Sequence, residues 1–537
     1  MRFARWVHRG MRTGGLVLGV AVCAWGQASA KAPARPAAAT AGEERAERSL
    51  EAARANPLDL YAFLYRMPKG ADLHVHLSGA VYAETFIKDA ADDGLCVDIA
   101  THVFAKPRAA DSSLTASCGE GQVPVEHALE DQRLYDALVD AFSMRSFVPA
   151  TGATGHDHFF DSFDEFDVGA LSLDHLGEWV DEIATRAAAQ NEQYLELMHT
   201  PNFTHTIAVA NAVAWNDDLG KLRDALLAHG LRDDVTVASG EIDRANFGRA
   251  KLERCGQRDA APACNVEIRY IYQVLRGFPK EQVFAQTLLG FETVSADPRF
   301  VGINFVMPED GYISMRDYVL QMKMVEFLHG LYPKVHITLH AGELAPGLVP
   351  YEGLCCHIRL AVDEGHAERI GHGVDVMYED RPYDLLREMA AKHVMVEINL
   401  TSNDVILGVT GKEHPLPIYR RFGVPVALST DDEGVSRINL THEYVRAVET
   451  YGLSYGDLKQ LVRTGMQHDF LPGESLWRAP EGPGVAAEFR APVAACTRDT
   501  LGAEKPSAGC GAFLARSPKA KAQWELERRF RAFEAGP

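Results

Sequence analysis

After the first 30 residues, no stretch reaches the roughly 18 uninterrupted apolar residues that a membrane helix needs, so no membrane span is expected. Basic residues are also scarce. The chain sets 54 Lys and Arg against 74 Asp and Glu, a formal net charge of -20, and an acidic surface repels nucleic acid and anionic lipid alike. Neither is expected as a partner. No Cys-x-x-Cys pair occurs, which removes the common thiolate zinc and redox motifs. No internal repeat is visible.

What is present begins with a targeting pattern. Arg2, Arg5, Arg9 and Arg12 precede an apolar run from Gly14 to Gly26, and Ala28-Ser29-Ala30 offers a small-residue cleavage site. Residues 1–30 therefore read as an export signal, for a periplasmic or extracellular protein. Lipidation at Cys23 is disfavoured by the bulky Val22 before it. Cleavage removes four Arg and no acid, taking the formal charge from -20 to -24. Residues 31–48, rich in Ala, Pro, Arg and Glu without apolar periodicity, read as a disordered leader, and the fold is expected from Ser49. Eight cysteines then remain, an even number that suits disulfides in an exported protein. Local pairing joins Cys96 to Cys118, Cys255 to Cys264, and Cys496 to Cys510, while Cys355 and Cys356 have no evident partners.

With 47% apolar residues the chain can build a large core. Strand-like runs are found at 71–77, 193–198, 266–275, 300–306, 335–339, 369–371, 394–400 and 424–429, with helical stretches such as 173–190, 217–229, 315–331 and 382–392 between them. Eight such alternations predict an α/β fold, a (β/α)8 barrel over 49–475 with insertions after strands one and two. Residues 476–537 form a C-terminal extension. Its charged stretch, 519–534, reads as a surface helix.

In such a barrel, chemistry collects where the strands end. His74 and His76 share a face of the first strand and can share a metal. His340 ends the fifth strand with Gly342 and Glu343 just beyond, His372 ends the sixth, and Asp431 and Asp432 end the eighth. Each has a plainer reading. A lone histidine can be a core residue bonded to a carbonyl, and an aspartate can cap a helix. Together, three nitrogens and a carboxylate at separate strand ends favour a metal site. His156 and His158, in a loop-like segment, read as surface. Phe159, Phe160, Phe163 and Phe166 recur at helical spacing and suit either core packing or a pocket lid.

These residues resemble the adenosine deaminases of the amidohydrolase superfamily. The likeness runs from Met67-Pro68-Lys69-Gly70 and His74-Val75-His76-Leu77 through Phe159 to Phe166, His340-Ala341-Gly342-Glu343, Arg369-Ile370-Gly371-His372-Gly373 and Leu400-Thr401-Ser402-Asn403 to Ser429-Thr430-Asp431-Asp432. The export signal, the Met-Pro-Lys-Gly lead-in and the insertion after strand one resemble the secreted, growth-factor-related branch. The resemblance implies one zinc ion per chain, held by His74, His76, His340 and Asp431. It implies hydrolytic deamination of a small-molecule purine nucleoside at C6, with Glu343 protonating N1, His372 orienting the attacking water or taking its proton, and Asp432 bonding N7. A homodimer is left open.

Two positions depart from the family pattern. Ser78 stands where an acidic residue commonly bonds the sugar 5′-hydroxyl, so weaker discrimination at the 5′ position is expected, with 5′-deoxy or 5′-substituted adenosines turned over alongside adenosine. Met307 stands where a glycine commonly offers its N–H to purine N3. Two other readings stay open: another amidohydrolase acting on an amide or ester, and a secreted binding or signalling protein on the same scaffold. A two-metal hydrolase of this kind usually needs a bridging lysine, and none lies between Phe300 and Tyr318.

Overall fold

Runs dense in Val, Ile, Leu and Phe form strands that are buried on both faces, as an enclosed parallel sheet requires. In the computed structural model, which describes residues 39–108, 117–478, 489 and 491–536, there are eight of them. They are β1 (Gly70–His76), β2 (Glu192–His199), β3 (Glu267–Leu275), β4 (Phe300–Val306), β5 (His336–Ala341), β6 (Arg369–His372), β7 (Met395–Ile398) and β8 (Val426–Leu428). Each pairs in parallel with the next in chain order. The ring closes through Asp431, whose N–H donates to His74 O at 2.9 Å while His76 N–H donates to Asp431 O at 3.2 Å. The expected barrel is therefore present, and a metal-site candidate is also its closing clasp.

Both insertions are present. Between β1 and β2 lie a small antiparallel sheet (Cys96–Asp98, Phe104–Ala105 and Gln122–Pro124) and the helix Gly155–Phe166. Between β2 and β3 run the helices Thr204–Ala212, Leu219–Ala228 and Asp234–Leu252. Disulfides join Cys96 to Cys118, Cys255 to Cys264, and Cys496 to Cys510. Cys355 and Cys356, which had no evident partner in the sequence, pair with each other.

Two boundaries differ from the sequence reading. The export signal and residues 31–38 lie outside the described residues, but the rest of the expected leader is folded. Thr40 and Glu43 form a capping box for the helix Ala41–Ala53, which buries Ala46, Leu50 and Ala53. The helix Pro518–Ala535 is not merely a surface helix. It buries Ala520, Trp524, Leu526 and Phe530, and Glu527 and Glu534 pair with Arg463 and Lys459 on the helix Tyr455–His468. Two of the charges that made it look solvated thus face partners inside the fold.

Candidate metal centre and substrate cavity

The strand period places His74 and His76 on one side of β1, pointing into the barrel. Their Nε2 atoms each lie 3.2 Å from Nε2 of His340 on β5. Asp431 Oδ1 lies 3.2 Å from His74 Nε2 and 3.1 Å from His76 Nε2. Tetrahedral ligands set about 2.0 Å from a zinc ion stand about 3.3 Å from one another, so these four spacings suit a metal ion such as zinc. The donor set fits as well. Asp431 Oδ1 is buried and accepts no hydrogen bond, which is costly unless a cation takes that oxygen.

Each imidazole is held by its other nitrogen. His74 Nδ1 lies 2.6 Å from Glu397 Oε2 on β7, and His340 Nδ1 lies 2.9 Å from Asn304 Oδ1 on β4. His76 Nδ1 lies 3.1 Å from Gln273 Nε2 on β3, and exchanging the amide's oxygen and nitrogen presents an acceptor to the Nδ1 proton. Such partners fix the tautomer and aim Nε2 at the metal position. Glu397 is itself ion-paired with buried Arg369, 2.6 Å away, which in turn pairs with Glu196 at 2.7 Å. Glu397, Asn304 and Gln273 escaped the sequence reading. For Glu397 and Asn304 the available signal was a lone polar residue inside an apolar strand run, which must find a partner if buried.

The remaining candidates surround this centre. His372 is buried, with Nδ1 2.9 Å from Asn403 Nδ2 and 3.5 Å from Glu343 Oε1. Burial takes His372 down to about 3, with Asp431 opposing and His74 adding to the effect. Burial pushes the Glu343 carboxyl well above the usual carboxylate range, and the charges of Asp431 and Glu309 push the same way. Asp432 is also raised by burial, against His76 and with Asp431. Asp431 differs. Against the upward push of burial, His74 and His76 hold it well below that range.

Two glycines make room. A Cβ on Gly79 would lie 1.6 Å from Asp432 Oδ1, and one on Gly371 would lie 2.6 Å from His74 Cε1. Met307, the departure from glycine, has φ of 92°, a left-handed backbone that favours glycine. Its thioether lies against Gly277. Backbone strain of this kind also occurs at His372 (φ 68°) and Asp431 (φ 63°), both in the site.

A cavity of about 340 Å³ opens onto the centre, within the range of small-molecule sites. His76, His340, Glu343, Asp431 and Asp432 line it together with Ser78 and Met307. Phe159, Phe160 and Phe163 cover it from the helix Gly155–Phe166, whereas Phe166 packs on Phe86 with ring centroids 4.7 Å apart. The aromatic stripe thus serves lid and core on different faces. His156 and His158, expected on a surface loop, lie on the lid helix. His156 Nε2 reaches Asp310 at 3.0 Å after β4, and His158 Nε2 donates to Ser143 O at 3.1 Å.

This barrel with its strand-end histidines and carboxylates has the architecture of a metal-dependent hydrolase. A family profile described as adenosine deaminase matches residues 130–477, more than half of the sequence. The chain belongs to the adenosine deaminase family. An adenosine deaminase of Shewanella loihica is 37% identical over 136 residues, which is 25% of this chain and 38% of that protein. One from Escherichia coli is 36% identical over 140 residues, 26% of this chain and 39% of its own length. The aligned stretches thus span under two fifths of these relatives. Among solved structures, an arabidopsis N6-mAMP deaminase shares 18% identity over 76% of this chain and 96% of that one, with a TM-score of 0.49. An adenine deaminase from Arthrobacter aurescens shares 17% identity over 75% and 94%, with a TM-score of 0.46.

Proposed function

We propose that this chain is a zinc-dependent hydrolytic deaminase of adenosine or a closely related adenine nucleoside, releasing inosine and ammonia from nucleoside and water. One observation carries the reading. Three imidazole nitrogens and a carboxylate oxygen converge at zinc-like spacing beside a cavity that also presents two burial-raised carboxyls, Glu343 and Asp432. His74, His76, His340 and Asp431 would hold the ion. Bound there, zinc supplies a Lewis acid that lets water act as a nucleophile near neutral pH.

The chain's own residues manage the protons. N1 and N7 of adenine are acceptors, so a protonated carboxyl suits each. Glu343 gives its proton to N1, drawing electron density from C6, and Asp432 donates to N7 and holds the ring in register. His372, kept neutral by burial, accepts the proton released as the water oxygen bonds to C6. The C–N bond then breaks: His372 returns its proton to the amino nitrogen, which leaves as ammonia, and the C6 hydroxyl proton passes to Glu343 as the carbonyl of inosine forms. The apolar lid of Phe159, Phe160 and Phe163 excludes bulk water while this happens.

A substrate panel on zinc-loaded protein tests the reading, following ultraviolet change and ammonia release with adenosine, 2′-deoxyadenosine, adenine, AMP and methylthioadenosine. Turnover of at least one adenine nucleoside is expected; a folded, zinc-loaded protein that deaminates none sinks it. The four disulfides among the described residues support the companion proposal that the protein acts outside the cytoplasm after losing residues 1–30. N-terminal sequencing tests this, and a working protein found only in the cytoplasm with Met1 intact would overturn it.

A further inference from the structure

Exposure divides the cavity's polar groups. His76, His340, Glu343, Asp431 and Asp432 are buried, and Gln273 is engaged by His76. Those nearer solvent are Ser78, half-buried, and Thr200 and Asp164, both exposed. With the purine's C6 edge at the metal centre, its sugar must extend toward this second group.

Asp164 is the one charged member of that group. It lies one turn after Phe160 on the lid helix, so both occupy the cavity side of the helix. Its carboxylate makes no hydrogen bond or ion pair among the described residues. The lid helix also carries Asp157, Asp161 and Glu165. Glu165 is pushed up to about 7 by burial and by the charges of Asp161 and Asp164, a sign that another anion would be unwelcome there.

We propose that Asp164 reads the substrate's sugar: its carboxylate accepts a hydrogen bond from the 5′-hydroxyl, selecting free nucleosides over 5′-deoxy and 5′-phosphorylated ones. This rests on the deaminase reading. It assigns to the lid helix the recognition that Ser78 is too short and uncharged to provide, and it reverses the relaxed 5′ discrimination expected from Ser78 alone. A carboxylate accepting from a hydroxyl is a charge-assisted bond; Asp164 is exposed in the open cavity, so the loss is felt where the bound nucleoside covers the carboxylate and keeps water from replacing the missing hydroxyl.

The test uses zinc-loaded protein and the product, which binds without reacting. Calorimetry compares inosine with 5′-deoxyinosine for the parent, D164N and D161N, the last a nearby acid outside the cavity. The parent is expected to favour inosine by roughly tenfold or more, D164N by less than about threefold, and D161N as the parent does. In turnover, D164N should lower the preference for adenosine over both 5′-deoxyadenosine and AMP. A parent with no preference for inosine, a D164N protein that keeps the parent ratio, or equal losses in D164N and D161N would each overturn the assignment. Should the binding preference follow Asp164 while no protein deaminates adenosine, the deaminase reading fails and the sugar contact stands.

Discussion

Glu309 Oε2 accepts the backbone N–H of Glu343 at 2.8 Å, and Oε1 accepts that of Gly342 at 3.0 Å. A buried, ionised carboxylate thus holds the backbone of a residue whose own carboxyl burial pushes toward the protonated form. His357 maintains the arrangement. Against burial, its Nδ1 contact at 2.6 Å brings Glu309 down to about 2, and Tyr318 stacks on the His357 ring at 3.7 Å.

Glu309 therefore acts as a positioning residue with an electrostatic signature. On the proposed mechanism Glu343 works only when protonated, so activity is expected to fall as pH rises through its raised pKa. Removing the Glu309 charge lowers that pKa. Glu309→Gln should move the alkaline limb of kcat/KM against pH to lower pH while zinc content stays the same. A variant that is simply slower, with the limb unmoved, would leave Glu309 a structural role alone.

Glu343 and His340 are three residues apart and should fail differently. Glu343→Gln is expected to retain about one zinc per chain by elemental analysis while losing roughly 10²- to 10⁴-fold in kcat. His340→Ala should lose zinc and activity together. A Glu343→Gln protein near the parent rate would remove the carboxyl from the mechanism, and two metals per site would contradict the single-ion geometry.

Gly79 tests the seat of Asp432. Because a Cβ there would overlap the Asp432 carboxylate, Gly79→Ala must displace it. Misplacement of about 1 Å near the chemistry costs on the order of 10²-fold, so kcat/KM should fall by that order while bound zinc persists. Unchanged kinetics would mean that Asp432 does not register the base.

Phe530 is fully buried on the C-terminal helix. Its truncation should leave a cavity, and Phe530→Ala is expected to destabilise the protein by about 3 to 5 kcal/mol in a urea melt. A loss below about 1 kcal/mol would return that helix to the surface role its charges suggested.

The site's principal residues were legible because they obey local rules. A strand exposes alternate residues on one face and ends at a predictable place, so His74, His76, His340 and His372 could be set at one mouth before any contact was known. Their supporting partners had no such rule. Glu397 is the single polar residue of Met395–Ile398, and Gln273 shares Glu267–Leu275 with Glu267 and Arg269; only the order of strands around the barrel says which imidazole each one meets.

The same division holds for charge. The sequence by itself determined the alternation of strands and helices and the ligand types at the strand tips, since each depends on neighbours in the chain, and it suggested the three local disulfides among the 105 ways of pairing eight cysteines. Only the tertiary structure decided that Glu343 and Asp432 are pushed toward the protonated form while Asp431 and Glu309 are held ionised. It also decided that Asp164 lines the cavity from a helix far away in sequence, and that the charged C-terminal helix is packed. Those outcomes depend on which groups lose water and which find an opposite charge, and both are fixed only when the barrel closes.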